Sequence, residues 1–219
     1  RLVLEETYGV KIFHLDLNGA GIAASSKSGF FGNAILLNKK CSRWRRNHDL
    51  AHELFHLVTW ERFKHNNQET SPNDQEEKYA TCFAGNLLLP EEVVDTAIKT
   101  AADENGTISF DKLDRIAREF DVSLESLLWR MHFLYNQKQE TTSFYIQQAK
   151  EYVKSTPSFR GEEPETFPER YRALAIKALR DGSISLGRFA KFMKISRTQA
   201  ENYISGGESN YVATTPVAV

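Results

Sequence analysis

The chain is poor in the residues that mark disulfide-bonded, fibrous or membrane-spanning proteins. Two cysteines in 219 residues, Cys41 and Cys82, are too few for a disulfide framework and point to a reducing, cytoplasmic setting. Six Pro and 12 Gly exclude collagen-like and low-complexity classes. Apolar runs such as Ala34, Ile35, Leu36 and Leu37 fall far short of the ~20 residues a membrane helix needs, so no membrane partner is expected. The N-terminus has no basic, apolar and small-residue succession of a secretory signal. It opens on Arg1 rather than Met, the expected mark of a piece whose N-terminal partner domain lies elsewhere. An excess of one charge is missing as well. Lys plus Arg number 28 against 29 Asp plus Glu, a formal net charge of -1, so a nucleic-acid site has to be local. The remaining composition, 41% hydrophobic and 26% charged, is globular, and at roughly 150 residues per domain it allows one sizeable core and an appendage.

Residues 10–38 alternate over short spans, with Val10, Ile12 and Leu15 followed by Gly19, Gly21, Gly29 and Gly32, which predicts a small sheet. The pattern then turns helical, with Asn47 or Asp49 as the expected cap of a helix running to about Lys64 and apolar nearly all round. Ser71 and Pro72 are the expected start of a second helix in which Ala80, Phe83, Ala84, Leu87 and Leu88 repeat at helical spacing until Pro90. Pro90 opens a third over 91–101, and two more are expected near 111–120 and 123–136. The fold class is therefore α+β and mostly helical. The expected domains are 1–136 with a helical pair at 111–136, a polar connecting segment 137–166, a compact helical domain 167–205, and a loose tail 206–219. One internal echo stands out. Leu113, Arg115, Ile116, Ala117, Arg118, Val122 and Ser123 recur 73 residues later as Leu186, Arg188, Phe189, Ala190, Lys191, Ile195 and Ser196, the outline of two helix-turn-helix pairs.

Chemistry concentrates in His52-Glu53-Leu54-Phe55-His56. Residues four apart sit about 40° apart around a helix and one turn along it, so both imidazoles reach one ion while Glu53 points to the same hollow. Chance placement of 6 His among 219 residues with this chain's glutamates gives the pattern with a probability of about 0.015. On a buried helix, two rings and a carboxylate left without partners cost roughly 1 to 3 kcal/mol each, and a metal ion satisfies all three. A catalytic zinc takes three protein ligands and keeps a fourth position open. Glu77, close to the apolar face of the second helix, is the third ligand this pattern favours, whereas Glu76, about 100° further round, reads as solvated. His48 at the helix entrance and His65 at its exit read as surface histidines.

These residues resemble a known family. His52-Glu53-Leu54-Phe55-His56 behind Asp49-Leu50-Ala51, followed by Glu77-Lys78-Tyr79-Ala80-Thr81-Cys82-Phe83-Ala84-Gly85-Asn86-Leu87-Leu88-Leu89-Pro90, is similar to the ImmA/IrrE metallopeptidases. The resemblance covers about residues 8–136, and 167–204 is similar to a C-terminal extension of some members. It implies a zincin-like helical core with a small sheet, and a bacterial or phage endopeptidase dependent on Zn2+ that cleaves helix-turn-helix repressors. By that match His52, His56 and Glu77 hold zinc and Glu53 is the catalytic glutamate. Two positions depart from the family's common residues, Phe55 where Gly is frequent and Thr81 where Asn is.

Other features carry less. Tyr79, Arg130 and His132 are conceivable oxyanion partners, each equally readable as packing. Cys82 reads as small filler turned from the metal, and Cys41 beside Arg43, Arg45 and Arg46 as an unremarkable thiol. That basic cluster suits an acidic substrate segment or plain solvation. A competing class is a DNA-binding regulator using 186–203, where Arg197, Thr198, Gln199 and Asn202 have base-reading chemistry. A third is a protein-interaction module in which zinc is structural or inactive.

Overall fold

The computed structural model describes residues 1–17, 23–63, 74–155 and 164–205. Its elements follow in order as α1 (Leu2–Glu6), β1 (Lys11–Leu15), β2 (Ala24–Ser28), β3 (Gly32–Asn38), α2 (Arg43–Thr59), α3 (Asp74–Leu88), α4 (Glu91–Ala101), α5 (Phe110–Glu119), α6 (Leu124–Leu134), α7 (Gln139–Ser155), α8 (Glu169–Arg180), α9 (Leu186–Met193) and α10 (Arg197–Ser205). The fold is mostly helical α+β, and the chain divides into two units, Arg1–Thr166 and Phe167–Val219.

In the first unit β3 is the central strand. It pairs in parallel with β1, Ile12 opposite Ile35, and antiparallel with β2, Ser25 opposite Ile35. The alternation of β1 and β3 buries Val10, Ile12, Ile35 and Leu37, and α2 closes that face with Leu57, backed by Leu50, Leu54 and Trp60. Helix α2 begins at Arg43 behind Ser42 rather than at the expected Asn47 or Asp49. Three arginines in a first turn oppose the helix dipole, and one distant and three nearby partners offset this. Arg43 Nε donates to Asp121 at 2.6 Å, Arg45 pairs with Asp49 at 2.8 Å, and Arg46 donates to the carbonyls of Lys39 and Cys41. The cluster at 43–46 is thus tied to its own chain rather than offered as a free patch.

Helices α4 to α7 build a second core around Leu127, Val94, Leu89 and Ala117, with Ile146 and Ala149 contributed by α7. Residues 137–166, expected as a connecting segment, contain the 17-residue α7, whose Thr142, Ile146 and Ala149 form one buried stripe at i, i+4, i+7. The expected cap at Ser71 and Pro72 lies outside the described residues.

The second unit is α8, α9 and α10 around Phe189, Met193, Leu179 and Ala200. The internal echo extends to the backbone. Asp121 (φ 56°) and Lys194 (φ 51°), 73 positions apart, each end a helix in the left-handed region, and the next residue's N–H reaches back to an alanine carbonyl, Val122 to Ala117 at 2.9 Å and Ile195 to Ala190 at 3.1 Å. Ser123 and Ser196 then accept from the N–H groups of Ser126 and Gln199, both at 3.1 Å. Among the described residues no helix is long and apolar enough to cross a membrane.

Candidate metal centre

Helices α2 and α3 pack along their lengths, small residues on α3 allowing the approach: Ala80 and Ala84 are fully buried. The helical repeat then brings His52 and His56 of α2 against Glu77 of α3. His52 Nε2 lies 3.2 Å from His56 Nε2 and 3.1 Å from Glu77 Oε2, and His56 Nε2 lies 3.4 Å from Glu77 Oε1. Bonds of about 2.0 to 2.1 Å held at a tetrahedral angle place neighbouring ligand atoms about 3.3 Å apart, so the triangle has the dimensions a zinc-sized ion requires. Among the described residues this is the one grouping of three or more metal-ligating side chains close enough to hold an ion. Burial keeps His52 below the ordinary histidine range although Glu77 pulls the other way, which favours the neutral ring that ligates a cation. The side chains of His52 and His56 are 17% and 9% exposed against 44% for Glu77, so the cluster is walled on the α2 side and open on the α3 side.

The glutamates do not divide as the sequence suggested. Glu76 is buried rather than solvated, and its Oε1 meets His56 Nδ1 at 2.8 Å. The ring nitrogen opposite the cluster therefore faces a carboxylate, an arrangement that fixes which nitrogen is free to ligate. The sequence signal was present: Glu76, Ala80 and Ala84 form a row at i, i+4, i+8 facing α2. Glu53 is 8% exposed. Burial raises its pKa, opposed by the Ser25 hydroxyl, which donates to its carboxylate from β2. Ser25 is thus a second residue near the centre that sequence reasoning missed, because no local spacing links β2 to α2.

Other expected residues lie elsewhere. Phe55 packs between α2 and α3, 5.7 Å between ring centroids from Phe83 and 6.2 Å from Phe63, with its ring edge-on to His56 at 5.9 Å. His48 extends the row, its ring 6.2 Å from that of His52, outside the converging set. His65 lies outside the described residues. Arg130 Nε donates to the Leu89 carbonyl at 2.9 Å, capping the end of α3. His132 Nδ1 contacts Thr142 Oγ1 at 3.0 Å between α6 and α7, and Tyr79 accepts from Gln75 at 2.8 Å on the exposed side of α3. None of the three is aimed at the cluster. Cys82 is exposed, not core filler, and Cys41 is half-buried.

The family model described as the IrrE N-terminal-like domain, Peptidase M78, matches residues 5–132. No curated protein matches the chain. Among solved structures, a Mycobacterium tuberculosis transcriptional regulator is similar at 17% identity and a TM-score of 0.41, over 60% of this chain and 38% of that one. The chain thus spans less than half the length of that regulator. Because the family match takes in well over half of the chain, the protein belongs to the Peptidase M78 family, with a metallopeptidase-type ImmA/IrrE domain.

Proposed function

We propose that the protein is a zinc-dependent endopeptidase that cleaves a helix-turn-helix transcriptional repressor, with His52, His56 and Glu77 holding zinc and Glu53 catalytic. The observation that carries this reading is the convergence of two ring nitrogens and one carboxylate within 3.4 Å of one another beside a buried glutamate. Two imidazoles and a carboxylate suit zinc, and a partly exposed third ligand leaves room for substrate and water. Zinc bound there supplies Lewis acidity, lowering the pKa of a water toward about 7 and polarising a scissile carbonyl.

Glu53 does the proton work. Burial favours its protonated form, so the carboxylate is a stronger base than a solvated one. It takes a proton from the attacking water as the new C–O bond forms, and returns it to the amine nitrogen as the C–N bond breaks. The Ser25 hydroxyl holds the carboxylate in place from β2. Glu76 holds His56 through Nδ1, so that Nε2 stays directed at the cluster.

The repressor substrate and the bacterial or phage origin are what the family resemblance implies, the cytoplasmic setting rests on the scarcity of cysteine, and co-expression tests the substrate. Co-expressed with a candidate helix-turn-helix regulator, the wild-type chain is expected to yield a shortened regulator. Glu53→Gln binds one zinc per chain and leaves the regulator intact. Cleavage by Glu53→Gln at the wild-type rate overturns the mechanism, and an intact regulator with wild type overturns the substrate.

A further inference from the structure

We propose that the second unit is a double-stranded-DNA-binding module that places α10 in the major groove. This inference is independent of the metal centre. The near-neutral chain conceals a charge asymmetry: residues 167–205 carry eight Lys and Arg against three Asp and Glu, a net +5, whereas residues 1–166 carry -5. A solvated three-helix bundle needs charge on its surface but no surplus of one sign. A surplus on one small unit is the footprint of a polyanion.

The surplus is placed around the turn. Arg188, Lys191, Lys194 and Arg197 are all exposed, on α9, at the left-handed turn and at the start of α10. The beginning of α10 is held by a reciprocal cap, Gln199 N–H to Ser196 Oγ at 3.1 Å and Ser196 N–H to Gln199 Oε1 at 2.9 Å. Inward, α10 buries Ala200, and Tyr203 sets its ring edge-on to Phe189 at 5.3 Å. Outward it presents Arg197, Thr198 and Asn202. Gln199 spends its carbonyl on the cap, which leaves Arg197 and Asn202 as the side chains with bidentate chemistry for guanine and adenine edges.

The internal copy sharpens the point. At the positions corresponding to Arg197, Glu201 and Asn202, α6 has Leu124, Leu128 and Trp129, the two leucines 5% and 4% exposed in the first unit's core. The same backbone turn therefore serves once as packing and once as an exposed polar face. Glu201, 3.8 Å from Arg197, is the one acidic group on that face and orients the guanidinium along the helix. A short, stably capped helix with long polar side chains, flanked by cations on the preceding helix and turn, matches the way a recognition helix meets duplex DNA. Single-stranded RNA calls for an aromatic stacking platform, and the exposed face of α10 has none.

The test is fluorescence anisotropy of the full chain with a pool of random duplexes of about 30 base pairs, titrated between about 50 and 200 mM salt. Four exposed cations set against phosphates predict a slope of log affinity on log salt near -3.6, or about 150-fold weaker binding across that range. Lys194→Ala lowers the slope by about 0.9 and weakens all duplexes alike, and Arg197→Ala costs at least about fivefold on duplexes selected from the pool. Circular dichroism confirms that each variant is folded, and Arg115→Ala, the equivalent of Arg188 in the first copy, leaves binding unchanged. No duplex binding at 50 mM salt overturns the proposal. So does binding that Lys194→Ala and Arg197→Ala leave intact, and so does tighter binding to polyuridine RNA or to phosphatidylglycerol vesicles.

Discussion

Glu76 offers the most discriminating single perturbation. Its carboxylate is 3% exposed and meets His56 Nδ1 at 2.8 Å, so Glu76→Ala leaves a buried N–H donor beside a cavity, whereas Glu76→Gln keeps a neutral acceptor of the same shape. An orphaned buried donor costs about 1 to 3 kcal/mol, and losing the outer partner of a ligating histidine weakens metal affinity about 10- to 100-fold. That loss corresponds to about 1.4 to 2.7 kcal/mol. Glu76→Ala is therefore expected to bind zinc 10- to 100-fold more weakly, with Glu76→Gln losing less than about tenfold because a hydrogen bond remains and only its charge assistance is gone. Competition against a chromophoric chelator measures both, with thermal unfolding of the metal-free proteins as a control for folding. Equal affinity in wild type and Glu76→Ala refutes the assignment. Equal losses in Ala and Gln attribute the effect to charge alone rather than to ring orientation.

Stability measurements test the rest. Chelation is expected to lower the unfolding temperature reversibly, since zinc at about 100 times its Kd adds about 2.7 kcal/mol to the folded state; an unchanged temperature refutes tight binding. In chelator, Glu53→Gln is expected to be more stable than wild type by about 0.5 to 2 kcal/mol. Burial raises the Glu53 pKa, so the folded state keeps a proton that the unfolded chain releases, and wild type loses stability as pH rises above the ordinary glutamate range. Denaturant titration at two pH values checks this, and a less stable Glu53→Gln contradicts it. His14, buried in β1 with Nδ1 2.9 Å from the Glu165 carbonyl, is held by burial at about 4 against the ordinary 6.5. It is neutral in the folded state and protonates on unfolding, so lowering the pH from about 7 to 4.5 removes up to about 2.5 kcal/mol, a loss that His14→Gln abolishes. Leu127→Ala, at the fully buried centre of the helical core, is expected to cost about 3 to 5 kcal/mol by urea unfolding; a cost under about 1 kcal/mol means that the site collapses.

What the sequence revealed followed from local periodicity. The bounds of α4 were legible because Pro90 fixes its start and the apolar spacing of Val94 and Ile98 continues until Ala101. The convergence of His52 and His56 was legible because both lie on one helix, where spacing alone sets their geometry. The start of α2 was hidden because three arginines are unfavourable at a helix N-terminus and Arg43 is satisfied by Asp121, a contact that no window around residue 43 contains, while Arg45 and Arg46 find Asp49 and two carbonyls nearby. Helix α7 was hidden because it buries one narrow stripe, so its average polarity resembles that of a linker. Ser25 reaches Glu53 across the sheet from β2, and pairing between distant segments leaves no trace in spacing.

The charge balance at the α2–α3 interface favours a bound cation. Glu53 and Glu76 are buried, and Glu77 stands 3.4 Å or less from two imidazoles, of which His52 is kept by burial from compensating it fully. Without a cation these carboxylates repel one another in a poorly solvated space, and the packing of Ala80 and Ala84 against α2 has to offset that repulsion. A divalent cation held by His52, His56 and Glu77 adds an attraction to each carboxylate that offsets this repulsion. Metal affinity and the closeness of α2 to α3 are then linked quantities. Replacing both Glu53 and Glu76 with Gln should accordingly tighten the metal-free interface while weakening metal binding, seen as slower amide exchange along α3 in chelator and a smaller stabilisation on adding zinc. A double variant whose apo and zinc-loaded forms shift in the same direction would show that the two helices are held together by packing alone.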